Sequence, residues 1–294
     1  MTRYPVAMAE RTTLRAGRRI IPAVLSCLVG MALLMMIGPS RPAAAEKRTT
    51  SSTTYYLALG DSVPVWDGSH SYPNLLVGHY AHQVPGLTLE NLAVSGATSS
   101  SMLNDGQYQS ALTFLDQNVG HVALITIDIG GNDFLSCVSG MSIDQTCITD
   151  ALAAMDSNIT TMLTGLSTAA PSVRIIGMTY YDPYLGDWLA GGSWQTVALD
   201  GLSVVTNINA NLTTLYGGSS TTANVQAAFK TTNDTKMVQS SWGKVPIDVD
   251  RACSWLDITC HVGSTEGFGD DPNIKGQKKI AKAFEHTIGK LQAP

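Results

Sequence analysis

Short apolar runs alternate with longer helical patterns along this chain, and this alternation restricts the fold more than any other feature. The runs are rich in Val, Ile, Leu and Tyr, and they cover residues 55–59, 89–94, 122–129, 173–180 and 245–249. Parallel strands that are buried on both faces have this composition. Helical periodicity fills the intervals, at about 71–83, 107–117, 147–167, 194–216, 222–229 and 274–291. The order strand, helix, strand predicts an α/β protein, a three-layer sandwich around a mainly five-stranded parallel sheet.

The first 45 residues have the pattern of an export signal. Arginines precede an apolar run from Ile20 to Ile37, and the alanines at 43–45 supply the small residues of a signal-peptidase site. Cleavage would leave a polar tether at 46–54 and one domain at 55–294. The apolar run also reaches the lower limit for a spanning helix, so an uncleaved membrane anchor is the alternative. Both interpretations predict a secreted or extracytoplasmic protein.

The charge of the exported part argues against two classes of partner. Without residues 1–45, 12 Lys and Arg stand against 22 Asp and Glu, a net charge of about −10. Such a surface repels nucleic acids and anionic lipid headgroups. We therefore expect no nucleic-acid partner, and membrane contact only through an uncleaved N-terminal segment. We also expect a monomer without a metal or cofactor.

Four of the five cysteines belong to the exported part and form two close pairs. Cys27 lies within the signal, whereas Cys137 is close to Cys147 and Cys253 is close to Cys260. In an oxidising compartment this spacing predicts two local disulfides. A zinc site is the competing interpretation, but neither pair has the spacing of metal ligands, and only one histidine lies beside a pair.

Three consecutive strand ends carry groups that suit nucleophilic catalysis. The first strand ends in GDS, which places the Ser62 hydroxyl at a strand-to-helix turn. The second leads to Gly96 in a loop of small residues, and the third ends in GGND with Asn132. The backbone N–H groups of Ser62 and Gly96 and the Asn132 amide can converge on one oxygen, as a tetrahedral oxyanion requires. A lone GDS would more simply be a helix cap, but three matching strand ends favour hydrolysis.

The blocks GDS, NLAVSGATS, GGND and PNIKGQKKIAKAF resemble, in order and spacing, those of the SGNH or GDSL hydrolase family, and in particular its secreted bacterial members. The resemblance covers nearly all of residues 55–290. It implies a flavodoxin-like sheet, with Ser62 as nucleophile and Ser62 N–H, Gly96 N–H and Asn132 as oxyanion donors. It also implies a substrate that is a small-molecule or glycan ester, including an O-acetyl group. The loop between Cys137 and Cys147 looks like that of secreted bacterial members.

The fourth block departs from the family pattern, in which Asp-x-x-His precedes Pro or Ala and then Asn. With the family's Pro-Asn placed on Pro272 and Asn273, Asp271 takes the position of the histidine base and Phe268 that of its orienting acid. A one-residue deletion would align Asp270 with an acid two positions before the histidine, but it supplies no imidazole. We therefore predict that Asp271 occupies the place of the base and faces Ser62.

An aspartate base predicts weakened catalysis. A carboxylate with a pKa near 3.9 accepts a serine proton less readily than an imidazole near 6.5. Loss of the histidine costs a serine hydrolase about 10⁴ to 10⁶ in turnover. Burial near Phe268 would raise the pKa of Asp271 and narrow this gap.

His261 is the alternative base, because it lies in the loop that precedes residue 271 and directly follows Cys260. Its simpler interpretation is a solvated loop histidine, so we predict that it lies outside hydrogen-bonding range of Ser62. The remaining histidines lie in or near predicted helices or at the wrong end of a strand, namely His70, His79, His82, His121 and His286.

Two functions of different classes fit these observations. The first is an exported esterase or lipase that is impaired at residue 271, and the second is a non-catalytic acyl- or glycan-binding protein on the same fold. Retention of Ser62 and Asn132 favours the enzyme. A substitution or sequencing error at residue 271 would instead make the native protein an ordinary hydrolase. Aromatic residues after the fourth strand fit either a substrate wall or the core under a long loop, namely Tyr180, Tyr181, Tyr184, Trp188 and Trp194.

Overall fold

A five-stranded parallel sheet forms the centre of the computed structural model, which describes residues 53–264 and 270–294. The strands of the protein are β1 (Thr54–Gly60), β2 (Leu87–Asn91), β3 (Val122–Asp128), β4 (Val138–Ser139), β5 (Ser142–Ile143), β6 (Arg174–Met178), β7 (Thr222–Ala223), β8 (Met237–Ser240) and β9 (Gly243–Pro246). The main sheet has the order β2-β1-β3-β6-β7, and every neighbouring pair in it is parallel. Helices cover both faces, so the predicted three-layer flavodoxin-like sandwich is confirmed.

Eight α-helices connect and cover these strands in the described residues. They are α1 (Tyr72–Tyr80), α2 (Ser99–Asn104), α3 (Gln107–Gln117), α4 (Gln145–Ala169), α5 (Ser193–Leu215), α6 (Val225–Phe229), α7 (Ile247–Trp255) and α8 (Ile274–Ile288). Short 3₁₀ helices occupy Gly68–His70, Gly131–Cys137 and Pro183–Ala190. None of the helices in this part of the chain combines the length and the apolar character that a membrane span requires.

The fifth strand of the sheet is not the one that the sequence predicts. The edge strand is β7, which comes from the start of the segment 222–229 that was expected to be helical. The apolar run at 245–249 instead ends hairpin β8–β9 and begins α7. Pro246 has no N–H for a central strand and suits the start of a helix, and acidic residues in the first turn of α7 stabilise that start.

The central strands are buried on both faces, which explains their continuous apolar sequences. In β1 the residues from Tyr56 to Leu59 are fully buried, and in β3 Leu124, Ile125 and Ile127 are equally inaccessible. In such folds, sites form at the carboxyl ends of the strands.

Both predicted disulfides are formed, so the cysteines do not form the alternative zinc site. Cys137, at the end of a 3₁₀ helix, is bonded to Cys147 in the first turn of α4, and Cys253 in α7 is bonded to Cys260. The predicted signal and nearly all of the tether lie outside the described residues, as does Phe268.

Candidate active site

Ser62 lies directly after the end of β1, and the chain on either side of it is held by hydrogen bonds. Before it, the Gln107 side chain accepts from the Gly60 N–H at 2.9 Å and donates to the Gly60 carbonyl oxygen at 3.0 Å. After it, the N–H groups of Val65 and Trp66 both donate to the Ser62 carbonyl oxygen. Within the described residues the Ser62 N–H itself makes no hydrogen bond, so it is available to a ligand.

Asn132 lies in the turn after β3 and lines the same cavity as Ser62. One of its amide hydrogens is donated to the Ala97 carbonyl oxygen at 2.9 Å, which leaves the other hydrogen for a ligand. The neighbouring Asp133 fixes this turn, because its carboxylate accepts from the Ser99 N–H at 2.8 Å and also from the Ser99 hydroxyl. The second and third strand-end loops are thereby joined.

Gly96 lies beside this junction but is exposed, and it is not among the residues that line the cavity. Its φ of 77° is a left-handed conformation that favours glycine, so the residue type is explained by the turn. Its participation in an oxyanion hole stays a prediction.

The main chain places Asp271 at the start of the last helix. Its carbonyl oxygen accepts from the Asp257 N–H at 2.8 Å, and the Asn273 N–H donates to the Trp255 carbonyl oxygen at 3.0 Å. Asn273 then caps α8, accepting from the N–H groups of Lys275 and Gly276. These bonds attach the segment to the end of α7, and Asp271 is only 8% exposed there.

The environment of Asp271 changes its acidity. Burial raises the pKa of Asp271 to about 6. Hydrogen bonding from the Ser62 side chain opposes this rise, and nearby carboxylates add to it, namely those of Asp270, Asp257 and Asp67. This brings the pKa of the carboxyl group close to that of an ordinary imidazole, which is near 6.5.

No histidine lines the cavity, and all six lie within the described residues. His261 is exposed on the loop after Cys260, and its carbonyl oxygen accepts from the Ser264 N–H. The structure thus brings Ser62, Asn132 and Asp271 to one cavity and leaves His261 outside it.

Two buried carboxyl groups lie next to the turn that carries Ser62, and the Asp61 N–H donates to the Asp128 carbonyl oxygen. Asp61 is 3% exposed and accepts from the Val63 N–H at 3.0 Å and from the Tyr180 hydroxyl at 2.8 Å. Asp128 is fully buried and accepts from the Tyr72 hydroxyl at 3.2 Å. Burial raises the pKa of Asp61 to about 7 and that of Asp128 well above its ordinary value.

Neither of these two carboxyl groups is among the site residues that the sequence predicts. Asp128 does have a signal in the sequence, because an acidic residue in the otherwise apolar run VALITIDI has to be buried with the strand. Asp61 stands out only as the middle residue of the GDS motif.

The rest of the cavity is apolar and extends away from Ser62 and Asp271. Its walls come from the 3₁₀ helix after β3, the β4–β5 hairpin, the start of α4 and one face of α5, through Phe134, Leu135, Val138, Ile143, Ile148, Val197, Gly201, Val204, Val205 and Ile208. Among the five predicted aromatic residues, Tyr180, Tyr181 and Tyr184 also line it, whereas Trp188 and Trp194 do not. Within the described residues no cluster of three His, Cys, Asp or Glu side chains is arranged to hold a metal ion.

Ser62, the Asn132 amide and the buried Asp271 carboxyl group line one cavity whose remaining walls are apolar. The family model of the GDSL-like lipase/acylhydrolases matches residues 58–215, more than half of the chain. The chain belongs to this family, as its sequence blocks predicted.

Solved structures of similar fold support the architecture. Phospholipase A1 from Streptomyces albidoflavus NA297 is 17% identical with a TM-score of 0.54, over 80% of this chain and 100% of that one. An extracellular lipase from Streptomyces rimosus is 19% identical with a TM-score of 0.52, over the same shares. The lipase Lip_vut3 from a goat rumen metagenome is 17% identical with a TM-score of 0.52, over 82% and 100%. No curated protein sequence matches the chain significantly.

Proposed function

We propose that this protein is an exported carboxylic-ester hydrolase in which Ser62 is the nucleophile and Asp271 is the general base. The N–H groups of Ser62 and Gly96 and the Asn132 amide act as the oxyanion donors. The observation that carries the proposal is the interaction of the Ser62 side chain with a buried carboxylate whose pKa is raised to about 6. A base with a pKa near the working pH is both ionised and basic enough to remove a proton.

Acylation begins when the Ser62 hydroxyl gives its proton to Asp271 and its oxygen bonds to the ester carbonyl carbon. The carbonyl oxygen becomes an oxyanion, which the amide donors stabilise. When this intermediate collapses, the bond to the alcohol oxygen breaks and the departing alkoxide takes the proton from the Asp271 carboxyl group. An acyl group then remains on Ser62, and the carboxylate is restored.

Deacylation repeats these transfers with water. Asp271 accepts a proton from the water molecule as its oxygen bonds to the acyl carbon, and the bond between this carbon and the Ser62 oxygen breaks. The proton on Asp271 returns to the serine oxygen, and the carboxylic acid departs. The main chain on either side of the base is held by the bond from the Asp257 N–H to the Asp271 carbonyl oxygen and by the bond from the Asn273 N–H to the Trp255 carbonyl oxygen.

The test is the hydrolysis of p-nitrophenyl acetate by the wild type and five variants. We expect Ser62→Ala and Asp271→Asn to lose about 10² or more in kcat, and Asn132→Ala to lose about 10² to 10³. Asp271→His should raise turnover by up to about 10², because an imidazole relays the proton more effectively. His261→Ala serves as the control and should stay within about two-fold of the wild type.

The same assay separates the competing interpretations. A fast wild type that loses activity in His261→Ala, with no effect at residue 271, would make His261 the base. A wild type as slow as Ser62→Ala, without any gain from Asp271→His, would favour a non-catalytic acyl- or glycan-binding protein. The absence of a histidine from the cavity is the observation on which that second function rests.

Export is supported by the two disulfides and by the arginine-rich, apolar N-terminal segment of the sequence. Expression of the full chain in a bacterium, followed by N-terminal sequencing of the protein outside the cytoplasm, tests this part. We expect the mature chain to begin at residue 46.

A further inference from the structure

The basic residues of the domain are concentrated in the last part of the chain. Between residues 53 and 229, Arg174 is the only lysine or arginine, against 13 Asp and Glu. Nine further Lys and Arg lie between residues 230 and 290. The net charge of the protein therefore averages an acidic part and a more basic part. The repulsion of anionic partners that follows from the net charge applies to the acidic part of the surface.

Four of these basic residues form a stripe along the outer face of α8. All four are exposed and lie in the segment KGQKKIAK, at Lys275, Lys278, Lys279 and Lys282. With 3.6 residues per turn, they fall within about 100° of the helix circumference. These residues are the lysine stripe. The opposite face of α8 is buried in the protein, through Gly276, Gln277, Ile280, Ala281, Phe284 and Ile288.

The lysine stripe opposes the stability of its own helix. Lys275 lies in the first turn, where the helix dipole disfavours a cation. Lysines that are three or four residues apart repel each other, and every member of the stripe has two such neighbours. Glu285 is the only acidic residue of α8, and it pairs with Lys282. A solvated face of mixed charge would avoid this repulsion, so the stripe needs a reason outside the stability of the helix.

A tryptophan of α7 orients one lysine of the stripe. The Lys279 Nζ atom lies 4.9 Å from the centre of the Trp255 ring, and the Arg251 guanidinium carbon lies 4.8 Å from the same centre. A cation–π contact holds a cation without neutralising its charge. Within the described residues, the stripe forms no ion pair with an acidic side chain other than that of Lys282 with Glu285. Three of its four charges are therefore available to a partner.

The geometry of the stripe matches a linear polymer with one phosphate in each repeat unit. Its lysines recur about once per helical turn, which is a rise of about 5.4 Å, along a single helix about 10 Å wide. Lysine binds phosphate as a point charge, whereas planar recognition of a carboxylate favours arginine, which the stripe lacks. A row of single charges thus faces the partner.

A flat or wide polyanion matches the stripe less well. The apolar face of α8 is buried in the protein, so the helix lacks the apolar outer face of a helix that lies in a bilayer. The exposed Asp257 lies next to the start of α8, because its N–H donates to the Asp271 carbonyl oxygen. A bilayer or a DNA duplex laid over the stripe would bring phosphates close to this carboxylate. A single chain can follow the stripe and avoid it.

We propose that the lysine stripe is a docking surface for a linear phosphodiester polymer, in which polyol or sugar units are joined by single phosphate groups. The polymer runs along α8, and its phosphates contact the lysine side chains. The stripe begins four residues after Asp271, which lines the cavity, so one end of the docked segment lies near the candidate active site. Binding requires neither Ser62 nor turnover, so the inference goes beyond the proposed hydrolase.

The experiment measures the binding of synthetic poly(glycerol phosphate) to the wild type and two variants by calorimetry at low salt. In the stripe variant all four lysines of the stripe are replaced by glutamine, and we expect Kd to rise about ten-fold or more. The control variant removes the same number of charges at exposed positions outside α8 and should stay within about two-fold of the wild type. Its substitutions are Lys230→Gln, Lys236→Gln, Lys244→Gln and Lys290→Gln.

The salt dependence of binding supplies a second readout. Four lysine–phosphate contacts predict a slope of about −3 for the logarithm of the binding constant against the logarithm of salt concentration. The slope should be close to zero in the stripe variant, and a wild-type slope near zero would contradict the proposal. Circular dichroism checks folding, and the pair Lys278→Gln with Lys282→Gln, which should halve the slope, replaces the stripe variant if that is not folded.

Other polyanions test the class of the partner. Mixed vesicles of phosphatidylcholine and phosphatidylglycerol, and a double-stranded DNA oligonucleotide, should each bind more weakly than the polymer at equal phosphate concentration. If either binds through the stripe as tightly as the polymer does, the stripe is a membrane or nucleic-acid surface and the assignment is wrong. Equal weakening of polymer binding in the stripe and control variants would show an effect of net charge alone and would overturn the docking surface.

The docking surface and the hydrolase proposal fail separately. The stripe variant should hydrolyse p-nitrophenyl acetate at the wild-type rate, because none of its lysines lines the cavity. Polymer binding by Ser62→Ala should equal that of the wild type. Loss of binding in Ser62→Ala would place the polymer in the cavity and contradict docking on α8.

Discussion

The side-chain amide of Gln277, in α8, donates to the Val63 carbonyl oxygen at 2.9 Å, and its oxygen accepts from the Tyr72 N–H at 2.7 Å. Gln277 is fully buried. One side chain therefore connects the helix that follows Asp271 to the turn that carries Ser62. We expect this connection to fix the distance between the proposed base, Asp271, and the proposed nucleophile, Ser62.

Replacing Gln277 should damage both stability and activity. We expect Gln277→Leu to reduce the free energy of unfolding by about 2 to 4 kcal/mol, because it leaves buried N–H and carbonyl groups without partners. Chemical denaturation measures this loss, and kcat for p-nitrophenyl acetate should fall more than KM changes. Lys278→Ala, at the exposed neighbouring position, is the control and should change neither quantity noticeably. Wild-type activity in Gln277→Leu would show that the connection does not position the site.

The acidity of Asp271 predicts the acid side of the pH profile. Protonated Asp271 cannot accept the Ser62 proton, so kcat/KM should fall as pH drops through about 6. Because the charge of Asp270 adds to the raised pKa of Asp271, Asp270→Asn should move this midpoint to lower pH. The exposed Asp116→Asn should leave the profile in place. A midpoint that stays unchanged in Asp270→Asn would rule out Asp271 as the titrating group.

Buried carboxyl groups should make the protein more stable at mildly acidic pH. Burial raises the pKa of Asp61 and of Asp182 to about 7, and that of Asp248 to about 6. The folded state thus binds these protons more tightly than the unfolded state, in which the values are near 3.9. The stabilisation is complete below about pH 4 and is lost as pH rises to about 7. We expect a higher Tm at pH 5 than at pH 8, by calorimetry.

Asp182→Asn tests the origin of this dependence. Asn keeps the helix-capping oxygen that accepts from the Tyr184 N–H at 2.9 Å but removes the ionisation. The variant should have a flatter dependence of Tm on pH, and Asp150→Asn, at an exposed position of α4, should match the wild type. Equal slopes in all three proteins would exclude Asp182 as a contributor.

The bond between Cys137 and Cys147 should affect substrate choice as well as stability. It joins the 3₁₀ helix that carries Phe134 to the first turn of α4, next to Ile148, and both of these side chains line the apolar cleft. Replacing both cysteines by alanine should cost about 2 to 3 kcal/mol of stability. It should also lower kcat/KM for p-nitrophenyl octanoate relative to kcat/KM for p-nitrophenyl acetate.

The bond between Cys253 and Cys260 closes a similarly short loop, and neither cysteine lines the cleft. Replacing both of these cysteines by alanine is therefore the matched control. We expect this control to lower stability by a comparable amount and to leave kcat/KM for p-nitrophenyl octanoate relative to p-nitrophenyl acetate unchanged. Non-reducing peptide mapping of the wild type comes first, and free thiols or crossed pairs would contradict the assignment.

The parts of the fold that follow from sequence are those fixed by burial on both faces. Strands β1 and β3 are predictable because nearly all the residues in their cores are apolar. The edge strand β7 has two residues, and only its pairing with β6 makes it a strand. A run such as VPIDV has a stronger strand composition, so local sequence favours the wrong segment.

Some features of the candidate site can likewise be predicted from the sequence, and others cannot. The place of Asp271 follows from Pro272, Asn273 and the helix behind them, which are adjacent in sequence. The pKa of Asp271 does not, because it depends on burial and on Asp257 and Asp67, which come from other parts of the chain. The position of Asp128 next to the turn that carries Ser62 follows only from the pairing of β3 with β1.

The hydrogen bonds that position the main chain at residue 271 are made by its carbonyl oxygen and by Asn273, and within the described residues they do not involve the side chain at 271. The side chain at residue 271 can therefore be changed without removing these hydrogen bonds. We therefore expect an imidazole to replace the carboxylate here without the loss of these main-chain bonds. For enzyme engineering, residue 271 is a position at which side chains of different basicity can be compared on the same main-chain geometry.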